Sequence, residues 1–231
     1  MFIPLKDENP TVHKPYVTIG LIVLNALIYL YMLPLSPQGY QAFVYQFGLI
    51  PYELVHLTEL TPEISSPVLL SPFSSMFLHG GFMHLAGNML YLWIFGNNIE
   101  DFLGPVKFLL FYVLSGLAAA FLFIVFSPNS QIPLVGASGA IAGVMGAYIV
   151  LFPRARILTL LFLFYFIRLI HVPASIILGF WFVYQLLMSG FASGGGGVAW
   201  LAHVGGFAFG YLIFRFFAAK RRGRVSAHHF R

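Results

Sequence analysis

The sequence is dominated by apolar segments of the length that a membrane helix requires. Several of them reach the roughly 17–25 residues that cross the hydrocarbon core of a bilayer. Of the 231 residues, 59% are hydrophobic and only 8% are charged, against about 25% charged residues in ordinary soluble domains. We therefore expect an all-α polytopic membrane protein with a bundle of six transmembrane helices. The six predicted spans, numbered in chain order, are Tyr16–Leu33, Met83–Asn97, Val106–Phe126, Ser138–Phe152, Pro173–Met188 and Ala199–Ala218.

The positions of lysine and arginine predict how these spans are oriented. All 12 basic residues lie before span one, between spans two and three, after span four, or at the end of span six and beyond it. Under the positive-inside rule, this pattern places both termini in the cytoplasm and the three uncharged connections outside. The three connections without lysine or arginine are 34–82, 127–137 and 189–198.

Two segments do not fit a simple series of spans. The apolar run Ile157–Ile170 is short and contains Arg168, so we expect an interfacial or partly buried segment on the cytoplasmic side. A seven-span topology is the alternative. The first external connection, Pro34–Phe82, is long, rich in proline and aromatic. We expect it to pack on the protein or to lie in the membrane interface.

The remaining composition narrows the class further. The chain has no cysteine, which excludes disulfides, thiolate catalysis and thiolate metal sites. The net charge of +5 comes from a few clusters, so it indicates membrane orientation and predicts no nucleic-acid partner. Residues 1–15 are polar and do not resemble a cleaved signal. We expect a cytoplasmic segment 1–15, a membrane domain 16–219 and a basic cytoplasmic tail 220–231.

A small set of polar side chains lies within the predicted spans, where ionisable groups are functional candidates. His84 and Asn88 lie four residues apart on one face of span two, Ser138 begins span four, and His203 lies near the start of span six. All three spans run inward. At about 1.5 Å per residue, the four groups fall within roughly the outer third of the bilayer. Their convergence at one depth predicts a functional site.

These residue types suit hydrolysis by a serine nucleophile. Ser138 would attack, and His203 would act as general base and then as acid toward the leaving amine. Since no acidic residue lies in the middle of a span, we expect a Ser–His dyad without a third, acidic member. The first N–H groups of span four, with His84 and Asn88 as further donors, would stabilise an oxyanion. No metal is expected, because no carboxylate or cysteine side chain accompanies the histidines as a further ligand.

Each residue also has a simpler interpretation. Ser138 lies in the small-residue stretch "LVGASGAIAGV" at 134–144, and a lone serine there is more typical of helix packing. Gly139, Gly143 and Gly146 support that interpretation, since they allow a neighbouring helix, predicted to be span six, to approach closely. An asparagine such as Asn88, taken alone, more often makes a hydrogen bond between helices. His79 would simply order the loop before span two.

The quoted motifs resemble those of the rhomboid family of intramembrane serine proteases. The matching pieces are "FLHGGFMHLAGN" at 77–88, "GASG" at 136–139 and "AHVGG" at 202–206, within a resemblance that covers about 67–219. The resemblance implies a rhomboid-type six-helix bundle with a Ser138–His203 dyad. It also implies an oxyanion hole from the Ser138 N–H, His84 and Asn88, with His79, Gly136 and Gly139 supporting the site. The implied substrates are transmembrane or juxtamembrane segments of single-pass or other membrane proteins, cleaved without cofactor.

The resemblance also implies a water-filled cavity that opens to the outside and a gate. The gate would be the fifth span with the loop after it, here Phe180, Trp181, Phe182, Tyr184 and Ser193–Gly197. Two positions depart from the family pattern. Leu70 and Ser71 stand where many members have Trp-Arg, which puts the anchoring of the first loop in doubt. Ala142 stands where some members stack an aromatic ring on the histidine, so we expect Met145 or the helix backbone to hold His203.

Two other functions stay open from the sequence. A catalytically silent relative would bind and retain membrane clients, although such members usually lose the serine or the histidine, and both are present here. A small transporter or channel is the third hypothesis, against which the absence of midplane acids and of evident repeats argues. The expected location is the bilayer of a bacterial plasma membrane, as an integral multi-pass protein.

Overall fold

The computed structural model describes residues 2–60, 68–163, 166–191 and 200–228. Most of the described chain is helical, and three strands accompany the helices. Two single 3-10 turns, Val68–Leu70 and Ser75–Phe77, flank α4. In chain order the elements are β1 (Phe2–Asp7), α1 (Tyr16–Met32), α2 (Pro37–Phe47), α3 (Pro51–His56), α4 (Ser71–Ser74), α5 (Phe82–Leu103), α6 (Pro105–Phe126), α7 (Ser138–Leu151), β2 (Arg156–Leu163), β3 (Phe166–Pro173), α8 (Ala174–Phe191) and α9 (Trp200–His228).

Each of the six predicted apolar spans is a helix, namely α1, α5, α6, α7, α8 and α9. Among the described residues, two helical segments are long and apolar enough to cross a membrane, Pro105–Phe126 and Trp200–Ala218. The helical segments Tyr16–Met32, Ser138–Leu151 and Ala174–Gly190 are apolar but shorter. Helix α9 continues to His228, ten residues beyond the predicted end of span six at Ala218. That all six helices cross a bilayer stays a prediction.

Helix α7 lies at the centre of the bundle, because its sequence is almost entirely small or apolar. All ten residues from Gly139 to Tyr148 are buried. Helix α6 packs against it in the antiparallel direction: a Cβ built on Gly139 lies 2.6 Å from the Cβ of Ala119, and one built on Gly143 would collide with Ser115. Any larger side chain at these glycines would push the two helices apart.

Helix α9 packs against α7 in the parallel direction and at backbone contact. A Cβ on Gly206 would collide with the carbonyl oxygen of Gly139, and one on Gly210 with the carbonyl oxygen of Gly143. Small residues are what allow membrane helices to approach this closely. The predicted neighbour of the α7 glycines, span six, is therefore confirmed.

A three-stranded antiparallel sheet forms where the sequence analysis expected no strand. Strands β2 and β3 make a hairpin over the run Ile157–Ile170, and β1 adds to the free edge of β2, with Phe2 paired to Leu161. Because Arg156 pairs with Pro173, the hairpin returns to the end of the bundle from which it started. The seven-span alternative is therefore wrong, and the all-α description needs this sheet added to it.

A buried carboxyl ties the sheet to the bundle. Asp7 at the end of β1 accepts hydrogen bonds from the Tyr148 hydroxyl (2.9 Å) and from the Asn98 amide (2.6 Å). Burial raises the pKa of the Asp7 carboxyl above its ordinary value, and these hydrogen bonds offset part of the rise. Tyr148 lies near the C-terminal end of α7, so the sheet and Ser138 lie at opposite ends of that helix.

The segment between α1 and α5 packs on the protein, which is one of the two placements that the sequence left open. Leu49 pairs with Leu134 in an isolated β-bridge, and the N–H of Tyr52 donates to the carbonyl of Ser130 at 3.0 Å. Leu49 and Ile50 are buried. The described parts of this segment thus cover the connection that leads into α7.

Candidate active site

Ser138 and His203 form a direct hydrogen bond at one end of the bundle. The distance between the Ser138 Oγ and the His203 Nε2 is 2.7 Å. Ser138 is the first residue of α7 and His203 the fourth of α9, and the two helices run parallel at glycine contact. The imidazole is thus the partner of the serine hydroxyl, whereas a serine that only packs would bond to a carbonyl one turn earlier.

A second polar residue holds the other nitrogen of the imidazole. The Nδ1 of His203 lies 2.7 Å from the Oε1 of Gln185 on α8. An amide oxygen only accepts hydrogen bonds, so Nδ1 carries the proton and Nε2 has a lone pair for the serine hydroxyl. The sequence analysis did not name Gln185, which is buried at 4% exposure.

Aromatic rings from two helices pack around His203. The Trp181 ring of α8 lies 5.8 Å from the imidazole centroid, and the Trp200 ring of α9 lies 6.4 Å from it, edge-on. These rings and Gln185 hold the His203 ring, for which Met145 or the helix backbone was expected. The structure therefore supplies the support for His203 from α8 and α9.

The predicted gate residues divide between two sides of α8. Phe180 faces outward at 70% exposure. Trp181 contacts His203, Phe182 stacks on Phe207 at 4.6 Å, and Tyr184 meets Trp200 at 5.6 Å. Three of the four predicted residues thus fasten α8 to α9. The predicted lid Ser193–Gly197 lies outside the described residues.

His84 and Asn88 of α5 converge on the turn that precedes Ser138. Gly136 has a φ of +126°, and a Cβ placed there would lie 2.9 Å from the His84 ring and 3.7 Å from the Asn88 Nδ2. The Asn88 Nδ2 is buried and has no hydrogen-bond partner among the described residues. The His84 residue as a whole is exposed at the surface. An amide donor without a partner and an accessible imidazole therefore lie beside the same turn.

His79 supports His84 from the preceding loop. The two rings lie 5.1 Å apart, edge to face, and His79 is 1% exposed. Burial, with the nearby His84 ring as a smaller cause, lowers the pKa of His79 to about 4. His79 is thus a neutral packing partner at neutral pH, in agreement with the loop-ordering interpretation.

A small depression beside the serine completes the site. Its walls are mostly small or apolar, so it offers room for a small apolar group next to the Ser138 hydroxyl. The residues around it include Met76, Gly116, Ala119, Gly139 and Ala202. Across the parts of the chain that the structure describes, no cluster of three or more His, Cys, Asp or Glu side chains is arranged to hold a metal ion.

The apolar helices fit a helical membrane protein, and comparison with known proteins gives its family. The family model of the Rhomboid domain matches residues 68–220. The chain belongs to the Rhomboid family.

Curated relatives carry the same family name. The chain is 33% identical over 147 residues to "Rhomboid protein 1, mitochondrial" of Saccharomyces cerevisiae, a match that covers 62% of this chain and 40% of that protein. It is 44% identical over 79 residues to "Rhomboid protease GluP" of Bacillus subtilis, covering 34% of this chain and 14% of the relative. A third match is "Presenilin-associated rhomboid-like protein, mitochondrial" of Bos taurus, 35% identical over 96 residues, which cover 41% of this chain and 24% of the relative.

Two facts follow from these matches. The matched region spans less than half the length of each of these relatives. Relatives named as mitochondrial also stand among them, so the comparisons support an integral membrane protein but not the expected bacterial plasma membrane.

Proposed function

We propose that this chain is an intramembrane serine endopeptidase that uses Ser138 as nucleophile and His203 as general base. The observation that carries the proposal is the 2.7 Å hydrogen bond between the Ser138 Oγ and the His203 Nε2. Nucleophilic catalysis requires a hydroxyl within hydrogen-bond reach of a base that a third group orients. Membership of the Rhomboid family and the relative named a rhomboid protease support the same reaction.

The reaction divides into acylation and deacylation. The Ser138 Oγ attacks the carbonyl carbon of the scissile peptide bond while its proton moves to the His203 Nε2. The resulting imidazolium gives that proton to the amide nitrogen as the C–N bond breaks, and the amine leaves. A water molecule, deprotonated by His203, then attacks the acyl-enzyme ester, which releases the acid and returns the proton to Ser138.

The donors for the oxyanion come from the start of α7 and from two side chains of α5. The first N–H groups of α7, beginning with that of Ser138, have no acceptor within the helix, and the positive end of the helix dipole lies there. Asn88 contributes an unpartnered buried amide, and His84 contributes a ring nitrogen beside Gly136. Removing one such donor typically costs about 2.7–4 kcal/mol of transition-state stabilisation.

The substrates we propose are transmembrane or juxtamembrane segments of single-pass or other membrane proteins, cleaved near the external face of the bilayer. The site lies at the end of α7 opposite the sheet, and the sheet carries Lys6, Arg156 and Arg168. By the positive-inside rule, the sheet end is cytoplasmic and the site end is external. Both termini then lie in the cytoplasm, and residues 16–219 form the membrane domain.

The test uses the full chain in liposomes with a single-pass substrate that carries a fluorophore on each side of its transmembrane segment. We expect cleavage by the wild type and none by Ser138→Ala or His203→Ala. Ser127→Ala, a serine at the end of α6, is the matched control and keeps full activity. Cleavage that survives Ser138→Ala would refute the proposed mechanism. A fluorophosphonate probe that labels wild type and not Ser138→Ala separates the proposed hydrolase from a silent relative.

A further inference from the structure

The fully buried residues of helix α8 form a narrow stripe. Ala174, Leu178 and Gln185 lie on one face, at intervals of four and seven residues, and all are buried at 4% exposure or less. The opposite face carries exposed side chains. They are Ile176, Phe180, Val183 and Leu187, all at least 51% exposed. A glutamine on the buried stripe of a membrane helix requires a partner, because an unpaired amide in an apolar environment is costly.

That partner is the histidine of the proposed dyad. The Gln185 Oε1 lies 2.7 Å from the His203 Nδ1, on the side of the ring opposite Ser138. Three residues on three helices are thus joined in one line: the amide of α8, the imidazole of α9 and the hydroxyl of α7. In a Ser–His–Asp triad the third place belongs to a carboxylate, which holds the imidazole in the tautomer that can accept the serine proton.

We propose that Gln185 is a positioning residue of the peptidase, so that the site works as a Ser138–His203–Gln185 triad with a neutral third member. The proposal rests on the proposed function of Ser138 and His203. Gln185 keeps the proton on Nδ1, fixes the ring plane and leaves the Nε2 lone pair directed at Ser138. A neutral amide does this without placing a carboxylate inside the bundle, where an ion is expensive.

The proposal links the position of α8 to the reactivity of Ser138. Beside the stripe, Ile177, Trp181 and Phe182 are partly buried against the core, and the aromatic contacts of α8 are with α9. A shift of α8 away from α9 would therefore remove the acceptor from Nδ1 before it disturbed the Ser138–His203 pair. The imidazole would then be free to rotate or to change tautomer.

The experiment compares kcat and KM of the full chain in liposomes for wild type, Gln185→Met, Gln185→Glu and Leu187→Met. Methionine matches the length of glutamine but has no comparable acceptor, so we expect kcat to fall about 10- to 100-fold with KM within twofold. Gln185→Glu keeps an oxygen opposite Nδ1, so we expect this variant to retain most of the wild-type kcat. Leu187→Met, the same new residue on the exposed face of α8, leaves both constants unchanged.

A second readout is independent of turnover. Histidine ¹⁵N NMR of the protein in micelles, assigned with His203→Ala, is expected to show His203 protonated at Nδ1 in the wild type and a mixture of tautomers in Gln185→Met. An unchanged kcat or an unchanged tautomer in Gln185→Met would overturn the proposal. If the wild type does not cleave, the proposed function fails, and the NMR comparison still decides whether Gln185 sets the state of His203.

Discussion

Gly136 shapes the turn that leads into the candidate nucleophile. Its φ of +126° lies in a region that side chains of L-residues rarely adopt, and its missing Cβ leaves the space that the His84 ring fills. Both conditions disfavour every residue other than glycine. The backbone between α6 and α7 can therefore reach the donors of α5 only through this position.

We expect Gly136→Ala to lower the free energy of unfolding by about 1–3 kcal/mol, the usual cost of a strained backbone region. It should also reduce cleavage at least tenfold, because the new methyl group displaces His84. Gly87→Ala is the matched control, since a Cβ there meets nothing within 4 Å. Unfolding in SDS and the liposome assay measure the two effects, and equal behaviour of the two variants would contradict this account of Gly136.

His79 predicts a pH dependence of stability. Its pKa is about 4 in the folded protein against an ordinary 6.5, so the fold favours the neutral ring. The stabilisation is fully present above pH 6.5 and is lost as the pH falls toward 4, by a total of about 3 kcal/mol. His79→Phe, which cannot be protonated, should show a flatter profile over that window in SDS unfolding at a series of pH values. Parallel profiles for the two proteins would show that His79 does not carry the effect.

At this scale the spacing of Ser138 and His203 along the predicted spans placed them at one depth, and the structure joins them by a hydrogen bond. Gln185 was not predicted, because only an acidic side chain was considered as a third member beside Ser138 and His203. Its signal was a single amide on the buried stripe Ala174, Leu178 and Gln185, which becomes visible only once the face that α8 turns to α9 is known. A neutral hydrogen-bond acceptor within a span carries no charge, so it does not stand out in a hydropathy pattern.

Among the elements, the pair α7 and α9 decides whether the site exists. Ser138 and His203 belong to different helices, and their 2.7 Å bond depends on the backbone contact of those helices at Gly139–Gly206 and Gly143–Gly210. A displacement of about 1 Å at a reacting centre can cost 100-fold in rate. The glycines of the two helices are therefore a condition for the chemistry as well as for packing.

We expect Gly206→Ala to destabilise the protein by about 1–3 kcal/mol through overpacking and to lower kcat more than tenfold, because α9 must move away from α7. Gly179→Ala on α8 is the control: its Cβ would meet open space, and alanine is the better helix former. The SDS midpoint and kcat give the two effects. A Gly206→Ala protein as active as Gly179→Ala would mean that the contact is dispensable.

The sheet is the element that the sequence did not predict. The hairpin reads in the sequence as a continuous apolar run, and such a run is indistinguishable from a short helical segment by periodicity alone. Four long helices separate the partner strand β1 from β2 in the sequence, so no local sequence pattern predicts the pairing. The expectation of a partly buried segment agrees with the structure, in which Ile157 and Thr159 are buried, but the strands were not predicted.

At the scale of the whole molecule, the candidate site and a group of basic residues lie at opposite ends of the bundle, which gives the bundle a polarity. Ser138 and the sheet lie at opposite ends of α7, and the basic residues that begin the chain and follow α7 lie at the sheet end. In the proposed topology, the site therefore faces one compartment and the sheet faces the other. Only the direction of this polarity in a living membrane needs the positive-inside rule.

The absence of cysteine makes that polarity directly measurable. Gln131 precedes α7 at the site end and Arg154 follows it at the sheet end, and both side chains are exposed. In sealed vesicles or cells, a membrane-impermeant maleimide should label Gln131→Cys from the outside and Arg154→Cys only after permeabilisation. The cysteine-free parent is the control for background. Labelling of both from one side would contradict the proposed topology.

The place of β1 in the sheet has a consequence for the order in which the chain matures. Phe2 pairs with Leu161, and Asp7 accepts a hydrogen bond from Tyr148, so β1 is synthesised before its partners, which lie in α7 and in β2 after it. During that interval β1 is an unpaired strand beside the membrane, open to wrong partners or to proteolysis.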